Sequence, residues 1–265
     1  MPNIVVFDIE TYRPDWRIRR TRREDFDPAR NTIITTGVFD GKEISISPVI
    51  EDLKEERKSL EFFLKKLKEF QAVTLVGYNI LHFDTPYLVY KSKPIEEYLS
   101  MARCQLLDLF WVLPYWLHNT SNGRKFHEKV SGLGELWKFE YVVEHILGEE
   151  PNPFSNKDVL ELWEKERFAD IRRHLELDLV HTLSFYRSSV IQEALNDLKK
   201  QSFKKNLCQD DCPYRQPLQQ TPETVFYYCT LLRETTSDEK ALSAIDAVDY
   251  PLPRWGASWV PHCLE

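Results

Sequence analysis

The stretch NIVVFDIET, Asn3 to Thr11, decides how the rest of the chain is read. Its apolar run from Ile4 to Phe7 has the length and β-branched content of a strand buried within a sheet. The run then delivers two carboxylates, Asp8 and Glu10, one residue apart. In an extended strand alternate side chains share a face, so Asp8 and Glu10 point one way and Phe7 and Ile9 the other. Two like charges at that spacing repel. They belong either to a solvated, frayed strand end or to a site that holds something positive.

Outward from this strand, two β-rich runs follow at 31–40 and 43–50, with Asp40-Gly41 as the hairpin turn between them. Residues 51–70 place Leu53, Leu60, Phe63, Leu64 and Leu67 at helical spacing, with acid early and lysine late, which predicts an amphipathic helix. Further strands are expected at 72–79 and 104–110, and helices at 133–147, 156–167 and from about 168 to 200. This order predicts an α/β domain over residues 1–200, a mixed β-sheet flanked by α-helices. Residues 201–265 differ in character, with four of the five cysteines and two proline clusters. They are expected to form a small, mainly helical C-terminal extension, its clearest helix at 222–235.

Composition bounds the function. With 265 residues, 42% hydrophobic and 29% charged, the chain has the make-up of a folded globular protein. No apolar run approaches the ~20 residues of a membrane helix, so no membrane partner is expected. Strong acid by position 8 leaves no room for a secretory leader, and an odd cysteine count suits reduced thiols, so a cytoplasmic setting is expected. A net charge of -7 removes any global basic footprint for nucleic acid, although a site built from carboxylates would itself be acidic.

Two more segments carry acids where a core should lie. GYNILHFDTPYL (77–88) ends a strand at Asn79 and presents Asp84 at the start of a helix, where Asp is also an ordinary N-cap. FADIRRHLELDLVHTLSFYRSSV (168–190) spaces Phe168, Ile171, Leu175, Leu179, Leu183, Tyr186 and Val190 as an apolar stripe. His174 and Asp178 sit at i and i+4 beside that stripe, and a polar pair at the edge of a buried face needs a partner. Each feature alone has a structural explanation. Together, Asp8, Glu10, Asp84 and Asp178 would make an all-oxygen cage suited to Mg²⁺ or Mn²⁺.

The order FDIET, then NILHFD, then H-x-x-x-D resembles the three motifs of the DEDD superfamily of 3′–5′ exonucleases, over about residues 3 to 190. It looks most like the proofreading branch found in family B DNA polymerases and their stand-alone relatives, and residues 201–265 leave no room for a polymerase palm. The resemblance implies a ribonuclease H-like fold and two Mg²⁺ or Mn²⁺ held by Asp8, Glu10, Asp84 and Asp178. It also implies stepwise hydrolysis of a single strand from its 3′ end. Thr11 and Asn79 fall where relatives contact the terminal nucleotide. One departure matters: proofreading members carry tyrosine four residues before the last aspartate, where this chain has His174. The histidine-bearing subclass usually has its histidine one residue upstream, where this chain has Arg173. Helical geometry favours His174, on one face with Asp178, as the group beside the attacking water and its general base, with His181 as rival.

WRIRRTRREDFDPAR (16–30) holds six arginines directly after the first acid strand, including Arg19 and Arg20. They suit phosphate contacts without sequence preference, or pair with Glu24, Asp25 and Asp27 as a solvated loop. Tyr78 and Phe83, with Tyr12 and Trp16, are candidates to stack on unpaired bases. Cys208, Cys212, Cys229 and Cys263 are candidate ligands for structural Zn²⁺ or an iron–sulfur cluster, though the spacing is not C-x-x-C and buried free thiols are common. The expected partner is single-stranded nucleic acid, DNA ahead of RNA, with a repair or replication protein or a second copy as further partners. An RNA-directed enzyme of the same superfamily and a non-catalytic nucleic-acid-binding subunit stay open.

Overall fold

The computed structural model describes residues 4–17, 28–71, 74–80, 83–92, 104–129, 138–202, 215–220 and 225–229. Among the described residues, β1 (Ile4–Tyr12), β2 (Thr32–Phe39), β3 (Ile44–Ile46), β4 (Thr74–Gly77) and β5 (Gln105–Asp108) form one sheet in the order β3-β2-β1-β4-β5. β2 runs antiparallel to β1 and β3, whereas β1, β4 and β5 are parallel. This is the α/β, ribonuclease H-like mixed sheet that the motif order implies. The Asp40-Gly41 turn closes the β2–β3 hairpin, with the Asp40 carboxylate accepting the amides of Lys42 and Glu43 at 2.8 Å.

Helices cover both faces. After a 3₁₀ turn at Leu53–Glu55, α1 (Glu56–Glu69) lays Leu60, Phe63, Leu64 and Leu67 against Phe7 and Ile9 of β1. α2 (Asp84–Ser92) follows β4. α3 (Leu109–Asn119) and α4 (Ser121–Lys129) follow β5. A short α5 (Phe139–Val142) runs into a π turn at Val143–Leu147 that ends on left-handed Gly148. Then come α6 (Asn156–Glu164), α7 (Phe168–Arg187) and α8 (Ser189–Ser202). On the face opposite α1, Leu175, Leu179 and Leu183 of α7 pack on Val6 and Val76, together with Leu109, Val112 and Leu113 of α3. The alternation of β1 therefore sorts its side chains between two cores, and Asp8 and Glu10 continue the Val6 row on the α7 side.

Several expectations need correction. The strand expected at 104–110 stops at Asp108, whose carboxylate accepts the amide of Phe110 and caps α3. The apolar run that follows, 109–119, is a helix, and neither it nor α4 was expected. The single helix expected from 168 to 200 breaks at Ser188, which has extended backbone angles, and becomes α7 and α8. Within the helix expected at 222–235, the described residues Val225–Cys229 are instead strand β7, paired antiparallel with β6 (Arg215–Gln220). Its run of β-branched and aromatic residues has high strand propensity. Cys229 is the last residue of β7, whereas Cys208, Cys212 and Cys263 lie outside the described residues, as do Arg19 and Arg20.

Gly37 pairs with Asp8 across the β1–β2 ladder and faces α7. A Cβ there would meet Leu179 Cδ1 at 2.7 Å and Leu175 Cγ at 3.1 Å, so the missing side chain is what lets α7 approach the sheet. Gly37→Val is expected to destabilise the protein by about 1–3 kcal/mol, as overpacking does, and to lower its melting temperature in thermal denaturation. An unchanged melting temperature would contradict this packing.

Candidate active site

β1 outruns its parallel neighbour. Its pairing with β4 ends at Val6–Val76, so the amides beyond it on that edge face open space. The amide of Ile9 fills that space with carboxylates, donating to its neighbour Asp8 at 2.9 Å and to Asp84 at 3.1 Å. Asp84 reaches it because β4 ends in a tight reversal. Asn79 takes a left-handed φ of 63° and donates its amide to Asp108 at 2.7 Å, while the amide of Phe83 returns to the Asn79 carbonyl at 3.2 Å. Asp84 then opens α2, and its carboxylate accepts the Ile9 amide of β1 as well as its own backbone amide. This residue thus makes a long-range contact beyond the ordinary N-cap explanation.

From the opposite side α7 brings His174 and Asp178. His174 is 2% exposed, with Nε2 3.2 Å from Glu10 Oε1 and 3.5 Å from Asp178 Oδ2. That nitrogen nonetheless has no hydrogen-bond partner among the described residues. Glu10, His174 and Asp178 form a cluster whose ligand atoms lie within 4.8 Å of one another, close enough to hold a metal ion. Asp8, Glu10, Asp84 and Asp178 all line one cleft of about 660 Å³, together with Thr11, Tyr78, Asn79, Phe83, Asn152, His174 and His181.

The electrostatics follow from crowding and burial. Desolvation, then the charges of Asp84, Glu10 and Asp178, push the Asp8 carboxyl well above the usual range. Burial and the charges of Asp178 and Asp84 do the same to Glu10. Burial raises Asp84 to about 6 against hydrogen bonds that favour its charged form, and Asp178 also reaches about 6 although Asn152 donates to it. Burial depresses His174 to about 4, which keeps the ring neutral despite Glu140 and Asp158 nearby. Four acids that hold protons more tightly than free carboxylates are acids short of a cation. The oxygen-rich donor set fits a hard divalent ion.

The sequence missed Asn152. Its Nδ2 lies 2.8 Å from Asp178 Oδ1 and 2.6 Å from His174 Nδ1, so it ties the two residues together. Nothing local marks it: its partners lie 22 and 26 residues away. Of the aromatics, Tyr78 stacks on Phe139 with centroids 4.6 Å apart and meets Phe110 edge-on, forming one wall of the cleft. Phe83 sits against Tyr87 at 4.6 Å. Tyr12 is not a cleft residue: it is buried, stacks on Trp163 at 4.1 Å and donates to Glu164 at 3.2 Å. Trp16 donates to the same carboxylate at 3.0 Å, and Arg17 pairs with it. Arg17 therefore has a partner on α6. His181 also lines the cleft, with Nε2 3.8 Å from Glu149. No helix of the described residues is long and apolar enough to cross a membrane.

No family model matches the chain. Among known proteins it is similar to the DNA polymerase catalytic subunit of Saimiriine herpesvirus 2, 23% identical over 195 residues, or 66% of this chain and 19% of that protein. It is also similar to DNA polymerase 2 of Aeropyrum pernix, 30% identical over 101 residues, or 38% of this chain and 11% of that protein. The chain thus matches only a small part of the length of these relatives. A solved structure, the family B DNA polymerase of Pyrobaculum calidifontis, aligns with a TM-score of 0.46 and 19% identity, covering 75% of this chain and 25% of that one. Over the matched residues the chain is thus similar, at low identity, to DNA polymerases.

Asp84 offers a test of the crowding. Its carboxyl is raised in the folded protein to about 6 against 3.8 unfolded, so the folded state binds more protons between those values and stability falls as pH rises through them. The penalty is fully present above about pH 6 and absent below about pH 4. Asp84→Asn keeps an acceptor for Ile9 and removes the charge. In metal-free protein at neutral pH it is expected to stabilise by roughly 1–3 kcal/mol, visible as a higher melting temperature that converges with wild type near pH 4. Added Mn²⁺ should reverse the ranking, since wild type then gains a ligand; equal melting temperatures across the pH range would contradict the crowding.

Proposed function

We propose that the chain is a metal-dependent 3′–5′ exonuclease that removes nucleotides one at a time from single-stranded DNA, with residues 1–200 as its catalytic domain. The observation that carries this reading is the meeting of four carboxylates from β1, α2 and α7 around one cleft, with a neutral histidine among them. The low-identity homology to DNA polymerases supports DNA as the substrate class. In this reading Asp8, Glu10, Asp84 and Asp178 hold two Mg²⁺ or Mn²⁺. Such a pair lowers the pKa of a water and neutralises charge on attacking and leaving oxygens.

The protein's own groups do the rest. Tyr78 and Phe83 would give the terminal base apolar faces, and Thr11 and Asn79, which line the same cleft, would contact the terminal nucleotide. A site of this kind admits one strand, because the terminal base must leave its partner to enter. His174 contacts the attacking water. That oxygen attacks phosphorus and the bond from phosphorus to the upstream 3′ oxygen breaks. One water proton stays on the phosphate and the other ends on the leaving oxygen, giving a mononucleotide and a shortened strand.

Three labelled substrates test the proposal. A 3′-labelled DNA single strand should release labelled mononucleotide first, whereas a 5′-labelled one should yield a descending ladder, each only with Mg²⁺ or Mn²⁺. A matched RNA strand should be cut more slowly. Asp8→Ala should lower the rate by about 10²–10³-fold or more while leaving the circular-dichroism spectrum unchanged. Wild-type digestion by that variant, or metal-independent cleavage, would refute the assignment; strict preference for RNA would move the substrate and leave the chemistry.

A further inference from the structure

We propose that Asn152 is a positioning residue that fixes which ring nitrogen of His174 carries the hydrogen, and so turns His174 into a hydrogen-bond donor facing the carboxylates. Asn152 lies in the segment between the π turn and α6. Its Nδ2 is 2.6 Å from His174 Nδ1, 2.8 Å from Asp178 Oδ1 and 3.0 Å from the backbone carbonyl oxygen of His174. Its Oδ1 accepts the amide of Phe154 at 3.2 Å.

A side-chain amide can in general be turned over, exchanging its oxygen and nitrogen. Here its surroundings forbid it. On the Nδ2 side a backbone carbonyl can only accept, and an ionised carboxylate likewise. On the Oδ1 side a backbone amide can only donate. Turning Asn152 over would set oxygen against oxygen at two contacts and nitrogen against N–H at another. Nδ2 is therefore the donor, and His174 Nδ1 meets it with a lone pair.

A neutral imidazole carries one N–H, so the hydrogen of His174 resides on Nε2. Nε2 is the atom 3.2 Å from Glu10 and 3.5 Å from Asp178, buried and without a hydrogen-bond partner among the described residues. It is an N–H aimed into the cleft. In this tautomer Nε2 has no lone pair with which to take a proton from water, so the general-base role expected from the sequence does not suit it. Its N–H can instead hold the oxygen of the attacking water, or a carboxylate that positions it. The consequence for catalysis rests on the exonuclease reading; the tautomer itself does not.

The test separates the two. The full chain is labelled with ¹⁵N-histidine, and the imidazole nitrogens of the metal-free protein are read by NMR at about pH 8, above the ordinary histidine range. The His174 signals are those lost in His174→Gln. Wild type should show Nε2 protonated and Nδ1 bare. Asn152→Ala should give a mixture of tautomers, and Asn152→Asp, which presents only acceptors, should move the hydrogen to Nδ1. With a DNA single strand and Mg²⁺, Asn152→Ala should lower kcat about 10-fold with KM within about twofold, the loss of one buried hydrogen bond. A protonated Nδ1 in wild type overturns the proposal, as does a wild-type tautomer in Asn152→Ala. The wild-type spectrum needs no variant to fold, and Asn152→Asp gives the same contrast should Asn152→Ala fail to. If wild type cuts no substrate while its spectrum is as expected, the exonuclease reading falls and the role of Asn152 stands.

Discussion

Negative charge gathered out of water is the constraint under which this structure is built. Burial raises the proton affinity of Asp8, Glu10, Asp84 and Asp178, and the charge of a neighbouring acid adds to each. A folded chain does not hold such a group without compensation. The fold supplies some of it itself: the Ile9 amide serves Asp8 and Asp84, and Asn152 serves Asp178. The rest is what a bound cation would supply. The arrangement also explains why the sheet is mixed in this order. β1 must extend past β4 so that its edge amides stay open, and β2 must be small at Gly37 so that α7 can close over the acids.

Much of this was legible in the sequence because it depends on local period. Two-residue alternation places Asp8 and Glu10 on one face, and the i, i+4 spacing places His174 beside Asp178. The structure keeps both relations. The hairpin at Asp40-Gly41 and helix α1 were readable for the same reason. The Leu53 outlier shows the limit of periodicity: it starts a 3₁₀ turn and packs with Tyr12, Ile34 and Val159 rather than with the α1 stripe.

What the sequence hid is set by contacts far along the chain. Asn152 carries no motif, and its role appears only when α7 lies beside it. Glu164 holds Tyr12, Trp16 and Arg17 from about 150 positions away, so local acids looked like the natural partners of the arginine segment. The run Leu109 to Asn119 has apolar residues all round, which erases the helical period that would have announced it. In Val225–Cys229 a dense row of aromatics is compatible with either period, and pairing with Arg215–Gln220 decides for the strand.

The account stands on the four carboxylates acting as one ligand set. The most direct measurement is anomalous diffraction from crystals soaked in Mn²⁺. Two adjacent manganese peaks touching Asp8, Glu10, Asp84 and Asp178 are the result expected, with both lost in Asp8→Ala. Manganese bound elsewhere, with the acids of the cleft left unliganded, would contradict it.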